Sequence, residues 1–248
     1  MTDGEVALEP VVILCGGRGT RLSERTESIP KALVEIGGHP ILWHVISIYS
    51  RQGFSRFLLL TGYKGEQIRS WVERSPWPDR VEVSCLDTGL DTPTGGRIKA
   101  ARGRIGGEAF SITYADGVAD IDLGALADFH REAGGLATMT VVRPELQYGI
   151  ADLDEDGIVR GFHEKPRVDS WINGGFFCFE PGVFDYLADD SVLEREPLER
   201  LAADGQLRAY RHGGFWDCMD TYKDAVLLND LWDSGEPPWR VRSDQPAR

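Results

Sequence analysis

Val11 to Leu22 reads VVILCGGRGTRL, a β-branched apolar run that breaks into a glycine-rich turn bearing Arg18 and Arg21, and Pro30-Lys31-Ala32-Leu33 follows shortly after. That order is a phosphate-binding signature. Glycines let N–H groups approach an anion without interference from Cβ, and such concave amide clusters attract phosphate oxygens. Arg18, Arg21 and Lys31 add full positive charges beside that cradle. Two familiar phosphate loops fit poorly. A Walker loop requires Gly-Lys-Ser/Thr at its end, whereas Gly19 is followed by Thr20 and Arg21. A dinucleotide fingerprint counted from Gly17 and Gly19 needs a third small residue at position 22, which is Leu22.

The 248 residues suffice for a full core, and one α/β domain is the default for such a length. The organisation expected is a flexible arm over 1–10, a single domain over 11–240 and a tail over 241–248. A formal net charge of −13 argues against nucleic acid as a partner, since its binders present basic faces. Phosphate binding then has to rest on local positive charge. Cys15, Cys85, Cys178 and Cys218 are widely spaced and form no Cys-x-x-Cys pair, so neither a zinc knuckle nor a disulfide framework is expected, and a reducing cytoplasm fits. No apolar stretch approaches the roughly 20 residues that span a bilayer, so no membrane association is expected. The acidic start MTDGEVALEP lacks the basic and apolar regions of a secretion signal.

Hydrophobic patterning alternates strand with helix through the first half. After a strand over 11–14, Ile41, Val45, Ile48 and Tyr49 fall on one face of a helix whose first turn is pre-set by Pro40. Strands over 57–61, 81–87 and 109–114 are interleaved with helices over 66–73 and 95–105. That order predicts a Rossmann-like α/β fold, a mixed, mostly parallel sheet flanked by helices. The second half changes character. Segments 137–142, 149–153, 158–163 and 171–179 read as strands joined by short turns, the clearest at Asp154-Glu155-Asp156-Gly157, and should add antiparallel pairings. Helices over 181–188, 196–204 and 221–233 follow, with a strand near 207–212.

In open α/β sheets ligands collect beyond the carboxyl ends of the strands, where both the glycine turn after Leu14 and Asp116 after Tyr114 should lie. Asp116, in Thr113-Tyr114-Ala115-Asp116-Gly117, is an ordinary turn aspartate or a ligand for a hard cation, which prefers one or two carboxylates plus substrate phosphates. Asp220 just precedes a helix and reads equally as its N-cap. Asp217 is a rival for the same role. Glu164-Lys165-Pro166 is on its own compatible with a surface ion pair. Asn173, before Gly174 and Gly175, can donate to and accept from hydroxyls, or can belong to a strand with a glycine bulge. Thr94, Gly95 and Gly96 open a helix and can offer N–H groups to an anion or a base. His39, His44, His130, His163 and His212 show no metal spacing and are read as structural.

Taken in order, LCGGRGTRL, IPKALVEIGG, TGGRIKAA, TYADG, HEKP, WINGGFF, EREPLERL and FWDCMDT resemble the sugar-1-phosphate nucleotidyltransferases, and within them the cytidylyltransferase branch, over about residues 11 to 240. Cys15 stands where that family more often has Ala. The resemblance implies a nucleotide-diphospho-sugar transferase fold, Arg21 and Lys31 as catalytic cations, and a nucleotide held by Leu14, Gly16, Gly17, Gly19, Thr20, Thr88, Thr94, Gly95 and Arg97. It implies a sugar phosphate held by Tyr114, Gly149, Glu164, Lys165, Asn173 and Gly174, and Mg²⁺ shared by Asp116 and Asp220. Arg18 stands where the family is often uncharged and receives no role. The implied activity is transfer of a nucleotidyl group from an NTP, CTP first, to a sugar 1-phosphate, glucose 1-phosphate first, with release of pyrophosphate and formation of an NDP-sugar by a homo-oligomer. Another base, or a modified sugar or cyclitol phosphate, stays open. So does a catalytically silent regulator that binds sugar nucleotides, and a dehydrogenase with an unusual phosphate loop fits less well.

Overall fold

In the computed structural model, residues 8–19, 28–146 and 148–240 are described. The first strand, β1 (Val11–Leu14), is buried along its whole length. Val11 and Ile13 enter one apolar cluster, and Val12 and Leu14 enter another. Side chains alternate across a strand, so a run apolar at every position is satisfied only by a sheet covered on both faces. The same alternation holds in β4 (Arg56–Thr61), where Phe57 and Leu59 face the first cluster and Leu58 and Leu60 the second. Each such side chain removed from water contributes about 1.5–3 kcal/mol before chain entropy is counted.

Between these strands lie a two-residue hairpin, β2 (Glu35–Ile36) with β3 (His39–Pro40), and helix α1 (Ile41–Ser50). The chain then continues through α2 (Gly65–Arg74), β5 (Glu82–Asp87), α3 (Thr94–Ala100), α4 (Arg102–Ile105), β6 (Phe110–Tyr114), β7 (Gly117–Ala119), α5 (Leu123–Ala133) and β8 (Ala137–Val142). The last part holds β9 (Ile150–Leu153), β10 (Val159–His163), β11 (Ile172–Phe179), α6 (Glu196–Ala203), β12 (Leu207–Arg211), β13 (Trp216–Cys218) and α7 (Tyr222–Asp233). The main sheet has seven strands in the order β12-β8-β11-β6-β1-β4-β5. Only β11 runs against the others, antiparallel to both β6 and β8. This is the mixed, mostly parallel sheet that the patterning predicts.

The expected antiparallel strands divide between two places. β11 enters the main sheet, while β9 and β10 pair only with each other in a hairpin that leaves Leu153, Val159 and Phe162 exposed. Its turn is closed by Gly157 N–H donating to Asp154 O at 3.0 Å, with Gly157 at φ +78°. Two predicted helices need correction. The span 95–105 breaks at Ala101, whose N–H is shared between Arg97 O and Ile98 O, so one helix becomes two. The span 181–188 is a 3₁₀ helix over Pro181–Tyr186, and its close is the i→i+3 bond from Leu187 N–H to Phe184 O. Among the described residues no helix is long and apolar enough to cross a membrane.

His44, on α1, shows what a histidine does in this core. One ring nitrogen lies 2.9 Å from Ile36 O, and the other accepts from the Trp239 indole N–H at 3.2 Å. Burial pushes its pKa down to about 4, which keeps the ring neutral.

Candidate active site

β1 and β6 are neighbours in parallel register, Leu14 opposite Tyr114, so the glycine turn and the loop to Asp116 leave the sheet side by side. A short ribbon brings in the far end of the chain. β7 pairs antiparallel with β13, Gly117 opposite Cys218, and Met219 N–H donates to Asp116 O at 2.9 Å. Asp116 and Asp220 therefore flank one pairing, although more than a hundred positions separate them in sequence. Neither β7 nor β13 is foreseen from the sequence, because a three-residue strand carries too little periodicity to register.

Asp220 is not the cap of α7. Thr221 is, in a capping box in which Thr221 Oγ1 accepts from Asp224 N–H and the Asp224 carboxylate accepts from Thr221 N–H at 2.7 Å. Asp224 also takes the Asp220 N–H at 3.0 Å, so the Asp220 backbone is fixed while its carboxylate is turned to the cleft. There it meets Lys31, carried by a single 3₁₀ turn after Pro30. Lys31 Nζ donates to Asp116 Oδ2 at 2.6 Å and to Asp220 Oδ1 at 2.6 Å. Burial alone would lower the lysine pKa, but the two carboxylates outweigh it and the net shift is upward, so the ammonium is held charged. Asp217 faces elsewhere. Strand alternation in β13 turns it into a separate cavity, where it accepts from Cys218 N–H at 2.8 Å and burial raises its pKa to about 6.

These groups border a cleft of about 430 Å³. Of the residues singled out from the sequence, Leu14, Gly16, Gly17, Gly19, Lys31, Thr94, Arg97, Tyr114, Asp116 and Asp220 all line it. Thr20 and Arg21 lie outside the described residues. Arg97 lines the cleft with its guanidinium turned into the wall. It is 4% exposed, and its guanidinium donates to Thr61 O at 2.8 Å, Thr88 Oγ1 at 2.6 Å, Gly89 O at 2.8 Å and Gly16 O at 3.1 Å. It staples three loops into the wall. A Cβ on Gly16 would fall 2.2 Å from Arg97 Cζ, so this glycine is required by the staple.

Other candidates are placed differently from the expectation. Thr88 sits behind Arg97, its hydroxyl donating to Thr61 O at 2.8 Å. Gly95 is packed against Ser191, which a Cβ would strike, and the Gly96 N–H is taken by Ser191 O at 3.1 Å. The opening turn of α3 thus serves packing as much as any ligand. Gly149 and Glu164 belong to the β9–β10 hairpin, and Lys165 follows it at φ +46°, a backbone conformation that non-glycine residues seldom adopt. Lys165 lines the second cavity, of about 710 Å³, with Arg143, Arg167 and Trp171. Asn173 stands at the edge of the first cleft, 3.4 Å from Tyr114 Oη, and the Gly174 carbonyl accepts from the Trp216 indole at 2.7 Å. Arg18 is exposed and paired with Asp91 at 2.9 Å.

One residue beside the cleft escapes the sequence reading. Glu194, before α6, accepts from the Tyr114 hydroxyl and, at 2.8 Å, from the Thr94 hydroxyl. The segment EREPLERL that contains it stands out in the sequence, but nothing in its composition distinguishes this glutamate from Glu196 or Glu199.

The nucleotidyl transferase family model matches residues 10–215. The chain belongs to that family. It is 44% identical to a probable glucose-1-phosphate cytidylyltransferase of Bacillus subtilis, over 93% of this chain and 98% of that one. It is 42% identical to the glucose-1-phosphate cytidylyltransferase of Salmonella typhi, again over 93% and 98%. The crystal structure of HddC from Yersinia pseudotuberculosis superimposes with a TM-score of 0.71 at 26% identity, covering 91% of this chain and all of that one. The chain is accordingly a nucleotidyltransferase with the sheet and helices of the nucleotide-diphospho-sugar transferases. Nucleotidyl transferases generally use a divalent metal. The donor set here suits a hard cation, since two carboxylates from different elements already converge on one positive charge at 2.6 Å. Among the described residues no group of three or more His, Cys, Asp or Glu could hold a metal, so further ligands would come from substrate and water.

Proposed function

We propose that this nucleotidyltransferase joins CTP and glucose 1-phosphate to give CDP-glucose and pyrophosphate, with Mg²⁺ between Asp116 and Asp220. The observation that carries the reading is the meeting of Lys31, Asp116 and Asp220 beside the glycine turn, since a group-transfer site for a triphosphate needs convergent positive charge and a place for a divalent cation. The likeness over nearly the full length to two proteins named as glucose-1-phosphate cytidylyltransferases supports the choice of base and sugar.

In the proposed reaction a phosphate oxygen of the sugar 1-phosphate attacks the α-phosphorus of CTP in line, and the bond from that phosphorus to the β-phosphate bridging oxygen breaks as pyrophosphate leaves. No protein nucleophile is needed; catalysis of this kind rests on positioning and on neutralising charge. Main-chain groups at Gly16, Gly17 and Gly19 line the cleft and suit the phosphates. Lys31 supplies a cation that is already charged, and Arg21 is proposed to supply another. A bound Mg²⁺ would offset the charge that builds on the phosphate oxygens. Glu164 and Lys165 are proposed to hold the sugar phosphate from the β9–β10 side. A pyrophosphate-release panel of five nucleoside triphosphates against several sugar 1-phosphates tests the reading. CTP with glucose 1-phosphate should give the highest kcat/KM, and release no faster than without sugar phosphate for every pair would refute it.

A further inference from the structure

The loop 189–195 is seated on the first turn of α3. Ser191 O takes the Gly96 N–H at 3.1 Å, and neither Gly95 nor Gly96 has room for a Cβ against Asp189 and Ser191. That seating delivers the Glu194 carboxylate between two hydroxyls that line the cleft from different elements, Tyr114 at the end of β6 and Thr94 at the start of α3. An ionised carboxylate only accepts hydrogen bonds, and each hydroxyl has one proton to give. Both protons are spent on Glu194, so what either hydroxyl can still offer a ligand is a lone pair. Leu193 N–H donates to Thr94 Oγ1 at 2.9 Å, and Asn173 Nδ2 donates weakly to Tyr114 Oη at 3.4 Å, which holds the same orientation.

Toward the cleft these two hydroxyls accept hydrogen bonds and cannot donate them. Phosphate oxygens, themselves acceptors, gain nothing from these two hydroxyls, which favours the glycine turn and Lys31 for the triphosphate and points the nucleoside toward Thr94 and Tyr114. Pyrimidines differ in the sign of the hydrogen bond they present: cytosine carries an amino donor where uracil carries a carbonyl acceptor. We infer that Glu194 is a positioning residue that makes the cleft prefer cytosine over uracil, by fixing the Tyr114 and Thr94 hydroxyls as acceptors. The inference rests on the proposed reading of the chain as a CTP-dependent enzyme.

Steady-state pyrophosphate release with CTP and with UTP, at saturating glucose 1-phosphate, tests it in the wild type, Glu194→Gln and Tyr114→Phe, each first shown to melt cooperatively. In Glu194→Gln the carboxamide brings its own donor, so one hydroxyl must accept from it and present its proton to the cleft. The CTP-to-UTP ratio of kcat/KM should fall about tenfold, the worth of one hydrogen bond, and should do so through KM. Tyr114→Phe, which removes one acceptor outright, should lower the same ratio and keeps the test alive if the first variant does not fold. An active wild type that uses CTP and UTP equally, or variants that keep the wild-type ratio, would overturn the role of Glu194 alone. Absence of release from every nucleotide would overturn the activity, and this inference with it.

Discussion

Lys31 bridges two carboxylates that would otherwise face each other, and replacing it exposes how much of the site depends on that. In Lys31→Met, two oxygens that each sat 2.6 Å from the ammonium, and so no more than twice that apart, lose their shared counter-charge. At an effective dielectric constant of about 20 and a separation of ~5 Å, their repulsion is ~3 kcal/mol, enough to lower the melting temperature of a chain this long by about 10 °C. The loss should be greatest in metal-free buffer near neutral pH. It should shrink as pH falls toward the carboxylate range, because one acid of the pair takes up a proton, and it should be largely restored by millimolar Mg²⁺ or Mn²⁺ seated where the ammonium was. Thermal melts with and without divalent ion, alongside Mn²⁺ binding by electron paramagnetic resonance, read this directly. The variant should bind Mn²⁺ in the absence of nucleotide more tightly than the wild type, in which Lys31 occupies that position. Turnover should fall sharply even where stability returns, since the phosphates also lose a cation. A variant whose melting ignores both pH and Mn²⁺ would refute the reasoning, and one that keeps full turnover would leave Lys31 a structural residue.

Other substitutions separate machinery from scaffold. Asp116→Asn should lower kcat by at least about 100-fold at saturating Mg²⁺ while the melting temperature moves little; wild-type rates would remove Asp116 from the reaction. Gly16→Ala places a methyl group 2.2 Å from Arg97 Cζ and should cost about 1–3 kcal/mol in denaturant unfolding, whereas Gly17→Ala meets nothing within 4 Å and should be near neutral. Equal losses for the two would show that Arg97 is not a rigid staple. His44 has a folded pKa of about 4 against an unfolded value of about 6.5, so its contribution is intact above pH 6.5 and is lost as the solution is acidified toward 4. Replacing His44 with Gln should flatten that part of the stability profile, and an unchanged slope between pH 6.5 and 4 would assign the acid sensitivity to other groups.

The parallel half of the sheet is legible in the sequence because its strands are short, the central β1 and β4 are apolar on both faces, and turns and helices of distinct period separate them. β1 and β4 need only alternation and length to be placed, and α1 needs only the spacing of Ile41, Val45, Ile48 and Tyr49. The second half is less legible for a physical reason. β9 and β11 both read as strands, yet β11 is buried between β6 and β8 while β9 pairs outside the main sheet. Which of them enters the sheet depends on partners far away in sequence. The helix predicted over 95–105 fails similarly, because the break at Ala101 comes from hydrogen-bond sharing that leaves no mark on residue type.

The site divides along the same line. Residues whose role depends on local geometry, such as the glycines after Leu14, can be recognised where they stand. Residues whose role depends on a meeting cannot. From sequence alone Asp220 is balanced between helix cap and ligand, and what separates the two is Thr221, which takes the capping position and leaves the preceding carboxylate to Lys31. Arg97 shows the converse. A basic residue near a glycine-rich helix start invites assignment to a phosphate, but the carbonyls of Thr61, Gly89 and Gly16 already surround its guanidinium. A charge committed to the backbone in this way is costly to turn toward a ligand, so among the described residues of this cleft the cation better suited to act on a triphosphate is Lys31, whose partners are carboxylates that a divalent ion can take over.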